Sequence, residues 1–256
     1  MSDIAIYWFR DDLRLHDLAG LAAAAERGPV VALYIWDDKV SEEWPIGGAS
    51  RWWLHKSLLA LEAALNKQGI PLTLRSGNTA TVLAEVCRAV SATAVYCSRQ
   101  YQPWAGQLEQ SLRDSLNQHG VELKRYPGTL LHEPESVATG AGTPFKVFTP
   151  FWRACLRRPE PPMPLAAPTL SSCATPLQSE TLNSWNLLPT QPNWAQGWED
   201  LWAPGEEGAH AALEQFLAHH VIDYGDGRDI PSARSTSRLS PYLRFGNISP
   251  RQVWHA

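Results

Sequence analysis

The chain has 256 residues, a hydrophobic fraction of 44% and a formal net charge of −4, a composition typical of a globular protein with room for one domain and part of a second. The negative charge argues against indiscriminate coating of nucleic acid, and no apolar run approaches the roughly 20 residues of a membrane span. The four cysteines lack CxxC or metal-like spacing and no signal-like segment opens the chain, so we expect reduced thiols and a cytoplasmic protein without a metal.

Short β-branched runs alternate with longer helical patterns through the first half of the chain. The predicted strands are IAIYWF (4–9), VVALYIW (30–36), LTLR (72–75), AVYC (94–97) and ELKRY (122–126), with helical stripes near 18–27, 54–65, 80–90 and 105–118. Alternation of this kind predicts a doubly wound α/β domain around a five-stranded parallel sheet, over residues 1–130.

The pattern changes in residues 131–204, which are predicted to be a connector. Many of the prolines lie between 159 and 204, and a proline-rich stretch favours an extended path over regular helix. Four tryptophans, Trp185, Trp194, Trp198 and Trp202, are expected to hold the connector against a domain surface.

Residues 205–256 are predicted to begin a second, helical domain. Glu206 and Glu207 suit the positive end of a helix, and Ala209, Leu213, Phe216, Leu217 and Val221 form one apolar face. The tail that follows is rich in arginine and hydroxyl groups. One helix and a basic tail cannot form an independent core.

The first strand runs into WFRDDLRLHD at the edge of the sheet where such folds bind ligands. The residues leave two readings open. Arg10 lines a ligand pocket, or the segment is a structural turn in which Asp17 caps the next helix while Arg10 and Arg14 pair with Asp11 or Asp12.

Two further segments are candidates for the same pocket. QYQPWAG contributes Tyr101 and Trp104 after the fourth strand, although Pro103 also suits a simple helix start. GGASRWW places Arg51 beside Trp52 and Trp53, which are expected to form a buried pair.

The segment STSRLSP concentrates hydroxyl groups around Arg238, with Ser235, Thr236, Ser237 and Ser240 within six residues. Hydroxyls and free amides at a helix start suit a diphosphate. The same residue types also favour a helix-capping loop without a ligand, and the composition alone does not choose between the two.

Taken together, these motifs resemble the DNA photolyase and cryptochrome family, most closely its bacterial class I cyclobutane pyrimidine dimer photolyases. The resemblance lies in WFRDDLRLHD, SRWWLHKSL, PFKVFTPFWRA, APGEEGAHAALEQFL and YGDGRDIPSARSTSRLSPYLRFGNISPRQVW, in this order along nearly the whole chain. It implies a Rossmann-like antenna domain followed by the start of an all-α FAD-binding domain, and a monomeric enzyme in which light-excited reduced FAD repairs UV-damaged DNA.

The resemblance also assigns residues. It implies FAD contacts at Tyr224, Thr236, Ser237, Arg238, Leu239 and Ser240, and a DNA phosphate contact at Arg228. No catalytic residue is expected within this chain. The resemblance leaves the antenna open between methenyltetrahydrofolate, 8-hydroxy-5-deazaflavin, another chromophore and an empty pocket, at a site containing Arg10, Arg51, Tyr101 and Trp104. Trp104 stands where folate-binding relatives carry a glutamate, which argues against the folate. The alternatives are a cryptochrome-like photoreceptor and a non-catalytic antenna fragment.

Overall fold

The computed structural model describes residues 3–39 and 44–256. Its centre is a five-stranded parallel sheet with the strand order β3-β2-β1-β4-β5. The strands are β1 (Ala5–Phe9), β2 (Val30–Trp36), β3 (Leu72–Ser76), β4 (Ala94–Ser98) and β5 (Glu122–Tyr126). Four helices connect them: α1 (Ala19–Arg27), α2 (Gly48–Asn66), α3 (Thr79–Val90) and α4 (Pro103–Asn117). The predicted α/β fold class is confirmed.

Both faces of the sheet are covered, because side chains alternate along each strand. In β1, Ala5, Tyr7 and Phe9 pack into one core with α1 and α2. Ile6 and Trp8 pack into a second core with α3 and α4. This two-sided burial explains why β1, β2 and most of β4 are apolar runs in the sequence, whereas the edge strands β3 and β5 also contain polar residues.

Six helices follow the sheet, and most of them are short. They are α5 (Phe148–Leu156), α6 (Trp198–Leu201), α7 (Glu206–His219), α8 (Tyr224–Gly227), α9 (Ser240–Arg244) and α10 (Pro250–Trp254). Within residues 3–39 and 44–256, no helix combines the length and the apolar character that crossing a bilayer requires.

Tryptophans attach the connector to the sheet domain, as predicted. Trp185 stacks on Trp36 at the end of β2 with ring centroids 6.3 Å apart. Trp198 meets Trp52 of α2 edge to face at 5.4 Å. The domain boundaries after residues 130 and 204 stay a prediction, because side chains from all three segments share the core on the α2 side of the sheet.

The C-terminal segment is attached through the loop that follows β1. Arg14 is 1% exposed, and its guanidinium donates to the carbonyls of His16, Asp17, Gly128 and Gly246. The prediction that Arg14 pairs with Asp11 or Asp12 is therefore wrong. Backbone carbonyls satisfy the buried cation instead.

The expected helix cap at Asp17 is also wrong. The residue before α1 is Leu18, which makes no side-chain cap. Asp17 has a positive φ of 55° and turns its carboxylate away from α1, towards α10. There it accepts hydrogen bonds from Ser249 and Arg251. A contact across more than two hundred residues has replaced the local cap.

Candidate functional site

A cavity of about 130 Å³ opens at the edge of the sheet where the strands end. It lies where the strand order reverses between β1 and β4, the switch point at which open α/β sheets bind ligands. We call it the edge cavity. Its aromatic wall is formed by Trp8, Trp36 and Trp104, and carboxylates are supplied by Asp11, Asp37 and Asp38. The arrangement suits a planar ring system with hydrogen-bond donors along its rim.

Arg10 lines the edge cavity and is 7% exposed. Its guanidinium carbon lies 4.6 Å from the centroid of the Trp8 ring, and its Nη2 is 2.8 Å from Oε1 of Glu109. Glu109 also pairs with Arg125, at 2.5 Å. Because a buried charge needs paired partners, this ion-pair chain fixes the Arg10 side chain against the cavity wall.

Pairing of Arg10 with Asp11 or Asp12 was the other expectation for this loop, and it is wrong. Asp12 accepts instead from the backbone amide of Arg10 at 2.7 Å and from the Tyr7 hydroxyl at 2.6 Å. Burial raises the pKa of Tyr7 well above its ordinary value, and the adjacent Asp12 raises it further. Tyr7 thus stays protonated and donates its hydroxyl to Asp12, and both carboxylate oxygens of Asp12 accept hydrogen bonds that hold the turn.

The other predicted pocket residues lie at different depths. Trp104 lines the edge cavity. Arg51 stands outside the lining: its Nε donates to the carbonyl of Ile46 at 3.0 Å, behind the wall. Tyr101 also lies outside the lining, and its hydroxyl donates to Glu133 at 2.7 Å.

Two lining residues that sequence reasoning missed are Gln100 and Arg244. Gln100 lies two residues after the end of β4, and its side chain donates to Asp11 at 3.1 Å. Position after a strand end was a usable signal for it. Arg244 forms a 2.7 Å ion pair with Asp11 although it lies at the far end of the chain. No local signal could have found Arg244.

A second cavity, of about 300 Å³, lies between α7 and the segment before α9. We call it the arginine cavity, because Arg234 and Arg238 both line it. Trp202, Phe216 and Tyr242 supply aromatic surface. The lining also contains Glu199, which pairs with Lys56, and Asp200. The two arginines and the hydroxyl groups suit an anionic ligand that also carries a ring system.

Three of the predicted FAD-contacting residues, Thr236, Ser237 and Arg238, line the arginine cavity. Arg238 adopts a positive φ of 54°, and its guanidinium carbon lies 4.0 Å from the centroid of Trp202. A cation over an indole face is electrostatically favourable, so Trp202 positions this arginine at the cavity rim.

The remaining predicted residues surround the arginine cavity without lining it. Leu239 is 3% exposed and belongs to the core, and Ser240 is the first residue of α9. Tyr224 packs edge to face on Phe216, with centroids 6.0 Å apart. Arg228 lies beside Tyr224 with 53% of its side chain exposed.

The part of the chain that the structure describes contains no candidate metal site. No group of three or more histidine, cysteine or carboxylate side chains there is arranged to hold a metal ion. All four cysteines are free, and burial raises the pKa of Cys87 to about 12.

Comparison with known proteins gives a consistent result. The family model described as DNA photolyase matches residues 5–169. The deoxyribodipyrimidine photo-lyase of Agrobacterium fabrum is 42% identical over 98% of this chain and 52% of that protein. Cryptochrome-1 of Arabidopsis thaliana is 33% identical over 98% of this chain and 37% of that protein. The chain thus spans about half the length, or less, of these curated relatives.

A solved structure agrees with the fold in detail. The crystal structure of a bacterial class III photolyase from Agrobacterium tumefaciens superposes with a TM-score of 0.94 at 41% identity, covering 100% of this chain and 53% of that one. The motifs in the sequence resembled class I enzymes, whereas this neighbour is described as class III. The comparisons therefore establish the family, which both classes share.

Proposed function

The chain belongs to the DNA photolyase family, and from this membership we propose that it forms the antenna domain, connector and first flavin-binding elements of a light-driven enzyme that splits cyclobutane pyrimidine dimers in DNA. The observation that carries the proposal is the arginine cavity. Thr236, Ser237 and Arg238 meet there beside the aromatic ring of Trp202.

The residues of the arginine cavity fit FAD. The guanidinium of Arg238 and the neighbouring hydroxyls would hold the diphosphate, because charge-assisted hydrogen bonds favour phosphate oxygens. Trp202 would keep Arg238 in place. Bound FAD would supply the light-driven electron that the repair reaction needs.

FAD titration of the purified chain, followed by flavin fluorescence, tests this assignment. Arg238→Ala and Thr236→Ala should each weaken FAD binding, since each removes a group from the cavity rim. Arg88→Ala, which removes an exposed arginine of α3, is the matched control and should leave binding unchanged. Equal FAD affinity in the unsubstituted protein and all three variants would refute the assignment of the arginine cavity as the FAD site.

We propose that Arg228 contacts a phosphate of UV-damaged DNA. Its side chain is half exposed, and its nearest carboxylate, Asp229, is 84% exposed and 3.5 Å away. An exposed pair of this length is weak and leaves the cation available. In a binding assay with UV-damaged DNA, Arg228→Ala should lower the affinity for that DNA. It should also reduce the slope of the logarithm of the binding constant against the logarithm of salt concentration by about one unit. An unchanged slope would show that Arg228 does not contact a DNA phosphate.

We propose the edge cavity as the antenna site. Its tryptophans would stack on a planar chromophore, and the carboxylate of Asp38 would face ring donors, whereas Asp37 already accepts from the amide and hydroxyl of Thr79. Binding of methenyltetrahydrofolate and of 8-hydroxy-5-deazaflavin, compared by fluorescence, identifies the ligand. Trp104→Ala should weaken the affinity for whichever chromophore binds. Full affinity in this variant would show that the antenna does not bind in the edge cavity.

A cryptochrome-like photoreceptor is the second candidate, because Cryptochrome-1 of Arabidopsis thaliana is 33% identical over 98% of this chain. The two functions differ in their product. Illumination of the flavin-loaded protein with thymine-dimer DNA should restore undamaged bases if the repair proposal is right. Stable flavin binding and photochemistry without dimer reversal would favour the photoreceptor, and absence of flavin binding would favour a non-catalytic antenna fragment.

A further inference from the structure

Helix α5 exposes most of its apolar side chains. Phe148 is 71% exposed and Leu156 is 59% exposed, whereas Cys155 is the one buried residue of the helix. The rings of Phe148 and Trp152 stack on each other with centroids 6.4 Å apart, and Val147, just before the helix, is 64% exposed. An apolar surface of this kind marks a place where another molecule binds.

Three exposed cations lie among these apolar side chains: Lys146, Arg153 and Arg157. Within the described ranges 3–39 and 44–256, none of the three forms an ion pair or a side-chain hydrogen bond. Arg153 and Arg157 are about one helical turn apart and therefore lie on the same side of α5. We call residues 146–157 the α5 surface. It is apolar and positively charged, although the chain as a whole carries a net charge of −4.

A second exposed surface has the opposite charge. Residues 221–230 read VIDYGDGRDI and contain three exposed aspartates, Asp223, Asp226 and Asp229, against one arginine. Asp223 and Asp226 make no ion pair with any residue that the structure describes. Ile222, in the same stretch, is 93% exposed. We call residues 221–230 the acidic segment. Like the α5 surface it combines exposed apolar side chains with a net charge, but of the opposite sign.

We propose that the α5 surface of one copy of this chain binds the acidic segment of a second copy. Each surface offers the other exposed apolar side chains and the opposite charge, and opposite charges across an interface favour binding. Both surfaces are exposed within a single copy, so neither one covers the other there. The second copy supplies the contact that a single chain lacks.

The pairing is head to tail and not symmetric. A symmetric dimer that used the α5 surface twice would place Arg153 and Arg157 against the same cations, which repel one another. Head-to-tail pairing leaves one free surface of each kind, so further copies add and the assembly grows with concentration. Each surface has about ten residues, fewer than the roughly 20–30 of a standard interface, so the association is weak and reversible.

A nucleic acid is the other anionic partner to consider for the α5 surface. Its phosphates would pair with the cations but would leave the aliphatic side chains of Val147 and Leu156 in water. The acidic segment offers Ile222 and Ile230, which are 93% and 51% exposed, as apolar partners for these side chains. The acidic segment thus matches both the charge and the apolar part of the α5 surface.

Sedimentation velocity of the purified chain, at a series of micromolar concentrations in low salt, measures the association. The mean mass should rise with concentration and return to that of the monomer in high salt, because salt screens exposed charges. A monomer at every concentration overturns the proposal. Association that high salt leaves intact also overturns it, since apolar contact without charge pairing would then hold the copies together.

Charge exchange between the two surfaces distinguishes this docking from general aggregation. The double variant Arg153→Glu, Arg157→Glu makes the α5 surface acidic, and Asp223→Lys, Asp226→Lys makes the acidic segment basic. Each variant alone brings like charges together and should stay monomeric at concentrations where the unsubstituted chain associates. An equal mixture should associate again, because the exchanged charges are complementary. A mixture that stays monomeric overturns the proposal.

A matched control tests whether overall charge alone governs the association. Arg88→Glu, Arg113→Glu changes the net charge by the same amount on α3 and α4 and should leave the association unchanged. An equal loss of association in this control overturns the proposal, because no particular surface would then be required.

An apolar variant keeps the test valid if a charge variant fails to fold. Ile222→Ala changes no charge and removes an exposed apolar side chain of the acidic segment, so it should weaken the association several-fold. Undiminished association in Ile222→Ala overturns the proposed contact.

These measurements use neither FAD nor damaged DNA, so their failure would leave the proposed function standing. Fluorescence anisotropy with a labelled single-stranded oligonucleotide without UV damage tests the other partner. Oligonucleotide binding by a chain that stays monomeric, abolished in Arg153→Glu, Arg157→Glu, would assign the α5 surface to nucleic acid and overturn self-association.

Discussion

The sheet domain and the segment from residue 205 to 256 bury their apolar side chains to different extents. Every residue of β1 is at most 4% exposed, with helices on both faces of the sheet. In the later segment, Ile222 is 93% and Ile230 is 51% exposed. Mutual burial therefore stabilises the sheet domain throughout, whereas the later segment buries only part of its apolar surface in the shared core, through residues such as Leu213, Tyr242 and Ile248, and adds specific polar contacts.

Those polar contacts converge on the loop after β1. Arg14 donates to the carbonyl of Gly246 at 2.9 Å, and Asn247 donates to the carbonyl of Leu13 at 3.2 Å. Gly246 has a φ of 61°, and a side chain there would collide with the backbone of Asp11. The same loop lines the edge cavity, so one turn of the chain supports both candidate sites.

Removal of core volume should produce the largest difference between the two regions. Leu33→Ala, at a fully buried position of β2, should lower the free energy of unfolding by about 2–5 kcal/mol because it leaves a cavity in a closed core. Ile222→Ala is the control at an exposed apolar position and should have little effect. Urea unfolding measures both, and similar losses would contradict the contrast between the regions.

Loss of the Asp17 carboxylate should release the C-terminal segment. Asp17→Asn tolerates the positive φ but removes the charge that pairs with Arg251, at an expected cost of about 1–3 kcal/mol. Limited proteolysis should then cleave residues 228–238 faster.

Asp229→Asn, at an exposed carboxylate, serves as the control for that substitution and should leave the protease pattern unchanged. Cleavage of the sheet domain in place of residues 228–238 would show that Asp17 does not hold the segment.

His55 should make the sheet domain sensitive to acid. Burial lowers the pKa of His55 below its ordinary 6.5, and Lys56 lowers it further. Stability that depends on neutral His55 is thus present above pH 6.5 and is lost as the pH falls through the lowered pKa. His55→Phe should make this acid slope of the unfolding free energy shallower, and His119→Phe, at an exposed histidine, should leave it unchanged.

The smallest effect is expected at a surface ion pair. Arg75 and Glu85 are 2.8 Å apart, and their side chains are 23% and 45% exposed. Arg75→Ala should change the free energy of unfolding by about 0–1 kcal/mol, since solvent and salt screen such pairs. A loss as large as that of Asp17→Asn would mean that exposed charges hold this edge of the sheet.

The sequence predicted the repeating elements well because their signals are local. The bounds of β2 and β5 match the structure, and α1 and α3 each begin within one residue of their predicted starts. Hydrophobic periodicity is fixed by which face of an element is buried, and that face is visible in neighbouring residues. Trp52 and Trp53 were found as a buried pair for the same reason.

The candidate sites were predicted only in part. Arg10 and Trp104 line the edge cavity, whereas Arg51 and Tyr101 lie outside its lining. Thr236, Ser237 and Arg238 line the arginine cavity, whereas Tyr224 packs on Phe216 beside it. Residue type indicated what chemistry a segment could support, but which side chains reach a cavity depends on how the segments pack.

By itself, then, the sequence determined the order of strands and helices, the two-sided burial of the sheet and the family to which the chain belongs. Only the tertiary structure decided that Glu109 pairs with Arg10, that Arg244 lines the edge cavity and that Asp17 binds Arg251. The physical reason is the distance along the chain over which each kind of interaction acts. Periodicity and capping act between neighbours along the chain, whereas a buried charge takes whichever partner the packing of distant elements brings to it.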